Sequence, residues 1–218
     1  MANKIIITGC IGFIGFHLCK NLLKKNNIKI LGIDNINQYY PIKLKKNRLK
    51  ILKETSKNNN NFIFKKESIS NKNKMFKIFK LFQPDIVINL AAQAGVRHSL
   101  KYPEKYLRDN IKGFLNILEL SKLYNVKKVI YASSSSIYGR NDSPFQENTN
   151  TDKQIQFYAV TKKTNELMAH SWSSLYGIQT IGLRFFTVYG PWGRPDMALY
   201  KFVSNICNDK TIELFNNG

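Results

Sequence analysis

The sequence has few cysteines and no long apolar run. Among its 218 residues are three cysteines, Cys10, Cys19 and Cys207, which are widely spaced and odd in number. They match neither a metal-binding cluster nor a disulfide framework, so we expect no metal site and a reducing environment. No apolar segment approaches the roughly 20 residues of a membrane-spanning helix. The opening residues, MANKIIITG, lack the features of a secretory signal. We therefore predict a cytoplasmic protein without a membrane partner.

Acidic residues are also scarce. Lysine and arginine together number 34 against 14 aspartates and glutamates, a formal net charge of +20. Such a charge often indicates a nucleic-acid partner. Here 28 of the 34 basic residues are lysines, and 25 asparagines are spread along the chain. This distribution indicates a bias in the amino-acid composition of the whole chain rather than a localised binding patch. The densest basic region, 43–80, lacks the interleaved aromatic and arginine side chains of a binding platform. We predict a solvated basic surface and no nucleic-acid partner.

Strand-like and helix-like segments alternate along the chain. KIIIT (4–8) is a continuous apolar run, as a buried parallel strand requires. Further strands are predicted at 28–33, 62–65, 85–92, 127–136 and 179–186, with helices at 13–25, 41–54, 74–82, 103–124 and from 156 onward. Strict alternation predicts an α/β fold with a doubly wound parallel sheet of the Rossmann type. Ligands of such sheets bind at the carboxyl ends of the strands.

A glycine-rich turn follows the first predicted strand. In TGCIGFIG, Gly9, Gly12 and Gly15 are spaced G-x-x-G-x-x-G between a strand and a helix. Such a turn lets the backbone approach a pyrophosphate, which the first amides of the helix then bind. Asp34 ends the second predicted strand, 19 residues beyond Gly15, where a carboxylate can accept hydrogen bonds from ribose hydroxyls. Because this carboxylate would repel a 2′-phosphate and no arginine stands beside it, we predict NAD rather than NADP.

Small residues follow the fourth predicted strand. NLAAQAGVR contains Ala91, Ala92, Ala94 and Gly95, which would let a cofactor lie against the backbone. Arg97, which comes next, is either an anion contact or a structural residue at the start of a helix. The sequence favours neither role.

The segment QFYAVTKKTNELMAH (156–170) predicts a helix in which Tyr158 and Lys162 lie one turn apart. A free phenol has a pKa of about 10, and a nearby cation lowers it. Alone, Tyr-x-x-x-Lys is more often a surface pair than a catalytic one. Here the fifth predicted strand ends in SSSSIYG, and one hydroxyl of Ser133–Ser136 can share a proton with Tyr158. Together with the glycine turn and Asp34, this set predicts oxidation of an alcohol with Tyr158 as the base.

These segments resemble the extended short-chain dehydrogenase/reductase family, and within it the epimerases that act on UDP-glucuronate. The resemblance covers essentially the whole chain, and GLRFFTVYGPWGRPDMA is its most specific segment. It implies tightly held NAD, a UDP-sugar substrate and a transient oxidation at carbon 4 that inverts this carbon. It also implies a homodimer formed through the helices at 103–124 and 157–176.

The resemblance also implies roles for individual residues. The catalytic set is Tyr158 as general base, Lys162 as its partner, and Ser134. The implied cofactor contacts are Gly9, Gly12, Phe13, Ile14, Gly15, Asp34, Asn35, Ser68, Leu90, Ala91, Ala92, Asn110 and Lys162. The implied substrate contacts are Arg97, Ser135, Ser136, Thr187 and Arg194.

The chain departs from the family pattern in three places. Ser68 stands where the family usually has an aspartate that contacts adenine, and Asn89 stands where it usually has a histidine. Family members are also much longer. We therefore expect residues 1–186 to form an NAD-binding Rossmann domain and 187–218 to be the incomplete beginning of a substrate-binding domain. Asn217-Gly218 is a hairpin signal, and the predicted strand IELF (212–215) would lack a partner.

Several alternatives remain open. The chain could act on another nucleotide sugar as a hexose 4-epimerase, a decarboxylase or a dehydratase, or it could be an inactive NAD-binding remnant. The 4,6-dehydratases of the family carry an Asp-Glu pair directly after the serine or threonine of the fifth strand. This chain has Ser135 and Ser136 there, which argues against a dehydratase.

Overall fold

The structure is a computed structural model and describes residues 3–214. Its centre is a parallel sheet of six strands in the order β3-β2-β1-β4-β5-β6. The strands are β1 (Asn3–Thr8), β2 (Ile28–Asp34), β3 (Phe62–Lys66), β4 (Ile86–Asn89), β5 (Lys128–Ala132) and β6 (Gln179–Leu183). The strand order reverses between β1 and β4, which is where ligands bind in such sheets. The predicted fold class, an α/β Rossmann-type doubly wound sheet, is confirmed.

Helices connect the strands. They are α1 (Phe13–Leu22), α2 (Ile42–Thr55), α3 (Lys72–Phe82), α4 (Val96–Lys101), α5 (Pro103–Tyr106), α6 (Gly113–Leu123), α7 (Phe157–Tyr176) and α8 (Ala198–Ile206). The predicted helix 103–124 is α5 and α6 joined by a π-helical stretch, Leu107–Lys112. Helix α4, which the sequence analysis does not predict, follows β4.

Strands β4 and β5 end earlier than predicted at the ligand-binding edge of the sheet. β4 ends at Asn89 and β5 at Ala132, because the small and polar residues that follow leave the ladder and turn along the edge of the sheet. Ser135 begins a short 3-10 helix, Ser135–Tyr138. The predicted strand 212–215 is wrong for residues 212–214, which lie in no strand. Phe215 and the Asn217-Gly218 turn lie outside the described residues.

Each face of the sheet carries its own apolar core. Side chains alternate between the faces of a strand, so Ile6 of β1 points to one side and Ile5 and Ile7 point to the other. Ile6 packs in a cluster that includes Phe114 of α6. Ile5 and Ile7 pack in a cluster that includes Phe16 of α1. Burial on both faces explains the uninterrupted apolar run of β1.

The chain from β6 onward is less covered than the rest of the sheet. Ile181 and Leu183 of the edge strand β6 are exposed, and no residue of α8 is buried. Within residues 3–214, no helix combines the length and apolar character needed to cross a membrane.

Candidate active site

A cleft of about 410 Å³ opens at the carboxyl edge of the sheet. It is lined by the loops that follow all six strands and by the start of α7. Most of the residues predicted to form the site line it: Gly9, Gly12, Phe13, Ile14, Gly15, Asp34, Asn35, Ser68, Leu90, Ala91, Ala92, Ser134, Ser135, Ser136, Tyr158, Lys162, Thr187 and Arg194. The fold therefore brings the glycine turn, the serine run and Tyr158 to one place.

The glycine turn is too tight for any larger side chain. Gly9 has a φ of +68°, and a Cβ on it would lie 2.8 Å from the backbone of Leu90 and Ala91. A Cβ on Gly15 would lie 2.2 Å from the Gly9 carbonyl oxygen. The turn therefore lies in close contact with the loop after β4 and with the start of α1. Gly12 is the N-cap of α1, so no side chain caps the first amides, which can bind an anion. These features fit a dinucleotide pyrophosphate.

Asp34 is buried at the end of β2. Burial raises the pKa of its carboxyl group, while the Ile36 amide (2.8 Å from Oδ1) and the cations Lys45 and Arg48 lower it. No arginine neighbours Asp34 in sequence, but α2 places Arg48 near enough for its charge to lower the pKa of this carboxyl group. The Arg48 guanidinium is already held by the Ile11 carbonyl oxygen at 2.9 Å and the Tyr40 hydroxyl at 2.8 Å.

Tyr158 does not have the lowered pKa that the sequence analysis expects. Burial raises the pKa of the phenol; a hydrogen bond with Ser134 and the charge of Arg194 partly oppose this effect. Lys162 is buried too. Its Nζ donates to the Ala132 carbonyl oxygen at 2.7 Å and lies 5.9 Å from the centre of the Tyr158 ring. Burial lowers the pKa of Lys162 to about 8, which makes it a weaker source of positive charge than an exposed lysine.

Asn110 is not among the residues that line the cleft, so its role as a direct cofactor contact stays a prediction. Its side chain is buried in the π-helical stretch, accepts from the Gln93 amide at 2.7 Å and donates to the Thr161 hydroxyl at 3.0 Å. It thereby joins the loop after β4 to α7, one residue before Lys162. Asn110 positions the site through these neighbours, and the π-helical stretch turns it inward.

Arg97 also lies away from the cleft. It is exposed on α4 and is not among the cleft-lining residues, and its contact with the substrate stays a prediction. Residue order alone could not show this, because it depends on the direction in which α4 turns after Gly95.

The sequence analysis missed Glu166, which supports the serine run from behind. Glu166 Oε1 accepts from the Ser133 hydroxyl at 2.6 Å, and both carboxylate oxygens pair with Arg184 at 3.0 Å. Glu166 lies one turn beyond Lys162, which itself lies one turn beyond Tyr158, so all three share one face of α7. This spacing is the signal that could have identified it.

Arg194 also lines the cleft. Its guanidinium donates to both carboxylate oxygens of Asp196, at 3.0 Å for Nε. The Tyr39 hydroxyl donates to Asp196 Oδ2 at 3.1 Å. Burial opposes the charge on both groups, but the pairing outweighs it, so the pKa of Arg194 is raised and that of Asp196 is lowered. Tyr39 and Asp196 were not predicted, because 157 residues separate them.

Comparison with known proteins identifies the family. The model of the NAD dependent epimerase/dehydratase family matches residues 5–218. The chain belongs to this family. The predicted family and its cofactor, NAD, are thereby confirmed. Protein CapI of Staphylococcus aureus is 53% identical over 216 residues, which are 99% of this chain and 63% of that protein. A probable UDP-glucuronate 4-epimerase of Rhizobium meliloti is 44% identical over 216 residues, 99% of this chain and 62% of that protein.

A solved structure of the family resembles the chain closely. It is the UDP-glucuronic acid 4-epimerase of Bacillus cereus in complex with UDP-glucuronic acid and NAD, with a TM-score of 0.91 and 35% identity. The likeness covers 99% of this chain and 66% of that one. The chain thus spans slightly less than two thirds of the length of the relatives and the structure named here.

Proposed function

We propose that the chain is an NAD-dependent UDP-sugar 4-epimerase that interconverts UDP-glucuronate and UDP-galacturonate. The observation that carries the proposal is the cleft itself, which combines a dinucleotide-type glycine turn with Tyr158, Ser134 and the cation Arg194. The family relatives support the reaction type. The glycine turn, Asp34 and Lys162 would hold the cofactor.

Tyr158 is the proposed base. The chemistry that bound NAD would supply is removal of the hydride from carbon 4 and its return to the opposite face of the keto sugar, which inverts this carbon. Tyr158 as phenolate takes the proton of the 4-hydroxyl and gives it back on the return, and Ser134 hydrogen-bonds the same oxygen. Burial raises the pKa of Tyr158 and so disfavours the phenolate. The hydrogen bond with Ser134 and the positive charge of Arg194 lower this pKa and favour the phenolate.

A group of polar side chains on the wall of the cleft is the proposed carboxylate site. Ser135, Ser136, Thr187 and Arg194 all line it. A 4-keto uronic acid is a β-keto acid, which loses carbon dioxide when the breaking bond aligns with the carbonyl. Hydrogen bonds that fix the carboxylate away from this alignment would prevent the loss. Arg194 also supplies a charge that suits a uronate better than an uncharged hexose.

Replacement of Thr187 by valine tests the carboxylate site. Valine keeps the shape of threonine but cannot donate a hydrogen bond, so the decarboxylated UDP-pentose should increase relative to UDP-galacturonate. Thr164→Val, on α7 outside the cleft, is the matched control. An unchanged product ratio in Thr187→Val would refute the role of this hydroxyl.

The reaction itself is tested by incubating the purified chain with NAD and UDP-glucuronate. UDP-galacturonate should form, and Tyr158→Phe should abolish it while NAD still binds. Conversion of UDP-glucose in preference to UDP-glucuronate would instead indicate a hexose 4-epimerase. NAD binding without any product would show that this chain alone is a non-catalytic remnant.

The proposal includes a homodimer and a second domain. Apolar side chains are exposed along α6 and α7, among them Leu123, Val160, Leu167 and Leu175. We propose that these helices pair with a second copy and that residues 187–218 begin a substrate-binding domain. Light scattering tests the dimer: Leu167→Lys should give a monomer if the interface is correct.

A further inference from the structure

Residues 190–196, GPWGRPD, form a segment that we call the clasp. The clasp follows β6, yet it contacts α1, α2 and the loop after β2. In the sheet, β2 and β6 are four strand spacings apart, which is about 19 Å at the usual spacing. The clasp therefore reaches back along the carboxyl edge of the sheet towards the strands that carry the glycine turn.

Two side chains of the Rossmann half hold the backbone of the clasp. His17 Nε2 lies 2.9 Å from the Pro191 carbonyl oxygen, and since a carbonyl oxygen only accepts, the ring must donate. The fully buried Arg48 donates to the Trp192 carbonyl oxygen at 2.5 Å and, from its other terminal nitrogen, to the Ile11 carbonyl oxygen at 2.9 Å. Arg48 thus ties the clasp directly to the glycine turn.

A third anchor lies at the other end of the clasp. The Tyr39 hydroxyl donates to Asp196 at 3.1 Å, and Asp196 in turn holds Arg194. Tyr39 also packs against Gly95, where a Cβ would lie 2.2 Å from the phenol oxygen. The loops after β2, β4 and β6 therefore meet at Tyr39, and Tyr39, Arg194 and Asp196 all line the cleft.

The clasp holds one residue in an unfavourable conformation. Trp192 has a φ of +61°, in the left-handed region that bulky residues avoid. Such a conformation persists only where the surroundings fix it. Here Arg48 binds the carbonyl oxygen, and the indole lies 5.8 Å from the Phe16 ring of α1. The clasp is thus held in one defined position against α1.

We propose that the clasp retains the dinucleotide. The glycine turn and the clasp residues Arg194 and Asp196 line the same cleft, so NAD bound there leaves only after the clasp separates from His17, Arg48 and Tyr39. Retention suits a reaction that returns the hydride to the same sugar, because release of the reduced cofactor would leave the sugar in its 4-keto form. The inference rests on the NAD site of the proposed function, although not on the identity of the sugar.

The test measures how fast the dinucleotide leaves. NADH bound to the purified chain is displaced by excess NAD in a stopped-flow instrument, and the loss of NADH fluorescence gives the dissociation rate. His17→Phe is the decisive variant: it keeps an aromatic ring beside Phe13 and Phe16, removes the donor to the clasp and does not alter a residue that lines the cleft. Tyr39→Phe removes the third anchor. The matched control is His170→Phe with Tyr124→Phe, which lie on α7 and just after α6 and do not line the cleft.

Each lost hydrogen bond should speed NADH release by about threefold to tenfold. The His17→Phe/Tyr39→Phe double variant should release it about tenfold to a hundredfold faster, with its thermal midpoint used to confirm folding. Release from His17→Phe within twofold of the control overturns the clasp. A chain that binds no NADH overturns the clasp and the dinucleotide site together. Faster release from variants of a chain that shows no epimerase activity supports the clasp while the proposed reaction fails.

Discussion

Replacing Gly9 by alanine tests the tightness of the glycine turn. Two costs arise. Gly9 has a φ of +68°, and an alanine in this region costs about 1–2 kcal/mol. In addition, the new Cβ would lie 2.8 Å from the backbone of Leu90 and Ala91, so the turn and the loop after β4 must separate by about 0.6 Å to restore ordinary contact. Such overpacking costs about 1–3 kcal/mol more.

Gly177 provides a control that separates the two costs. Its φ is +67°, but a Cβ there would meet no atom within 4 Å. Gly177→Ala should therefore lower the free energy of unfolding by about 1–2 kcal/mol through strain alone, and Gly9→Ala by about 2–5 kcal/mol. Because the shift at Gly9 moves the proposed pyrophosphate site, Gly9→Ala should also weaken NAD binding at least tenfold, whereas Gly177→Ala should leave it unchanged.

Urea denaturation gives the free energies of unfolding, and isothermal titration calorimetry gives the NAD dissociation constants. The reasoning is refuted if the two variants lose equal stability and equal NAD affinity. That result would mean that the close approach of the turn to Leu90 and Ala91 has no energetic consequence and that only the backbone conformation matters.

Three further predictions follow from the charged groups. Lys162→Met should raise the free energy of unfolding at pH 7 by at most about 3 kcal/mol. Burial lowers the pKa of Lys162 to about 8 in the folded chain, so the charged lysine destabilises the fold below pH 8. This cost fades as the pH rises towards the pKa of lysine in the unfolded chain. Denaturation of both proteins at pH 7 and 10 measures it, and a lower stability of the variant at pH 7 would contradict it. Glu166→Ala removes the carboxylate partner of Arg184, which keeps hydrogen bonds only to an oxygen of Tyr138 and of Glu147, and should cost at most about 3 kcal/mol. Glu54→Ala breaks an exposed pair and should change stability by less than about 0.5 kcal/mol in the same urea assay. Arg194→Met removes a charge that lowers the pKa of Tyr158; since the base must be deprotonated, the rising limb of kcat against pH should move to higher pH, and a limb at unchanged pH would exclude Arg194 from this role.

Local sequence patterns were sufficient to predict the fold. The apolar run of β1 and the alternation of strands with helices follow from burial on both faces of a parallel sheet, which acts on every strand in the same way. The glycine spacing was equally informative, because local sterics require glycine at these positions. Gly9 has a positive φ, and a side chain on Gly15 would collide with the carbonyl oxygen of Gly9.

Contacts between distant segments could not be predicted. Arg48 reaches the glycine turn only because α2 packs beside α1, and the pair of Tyr39 and Asp196 depends on the path of the chain after β6. The raised pKa of Tyr158 has the same origin. Sequence spacing shows that Lys162 is near, but it does not show how thoroughly the surrounding elements exclude water from both groups.

The fate of the hydrogen on carbon 4 tests the central claim most directly. UDP-glucuronate deuterated at carbon 4 is incubated with the chain and NAD in ordinary water, and the product is examined by mass spectrometry and NMR. The account predicts UDP-galacturonate that keeps the deuterium at carbon 4, because the hydride returns to the sugar it left. Product in which solvent hydrogen has replaced the deuterium would contradict it.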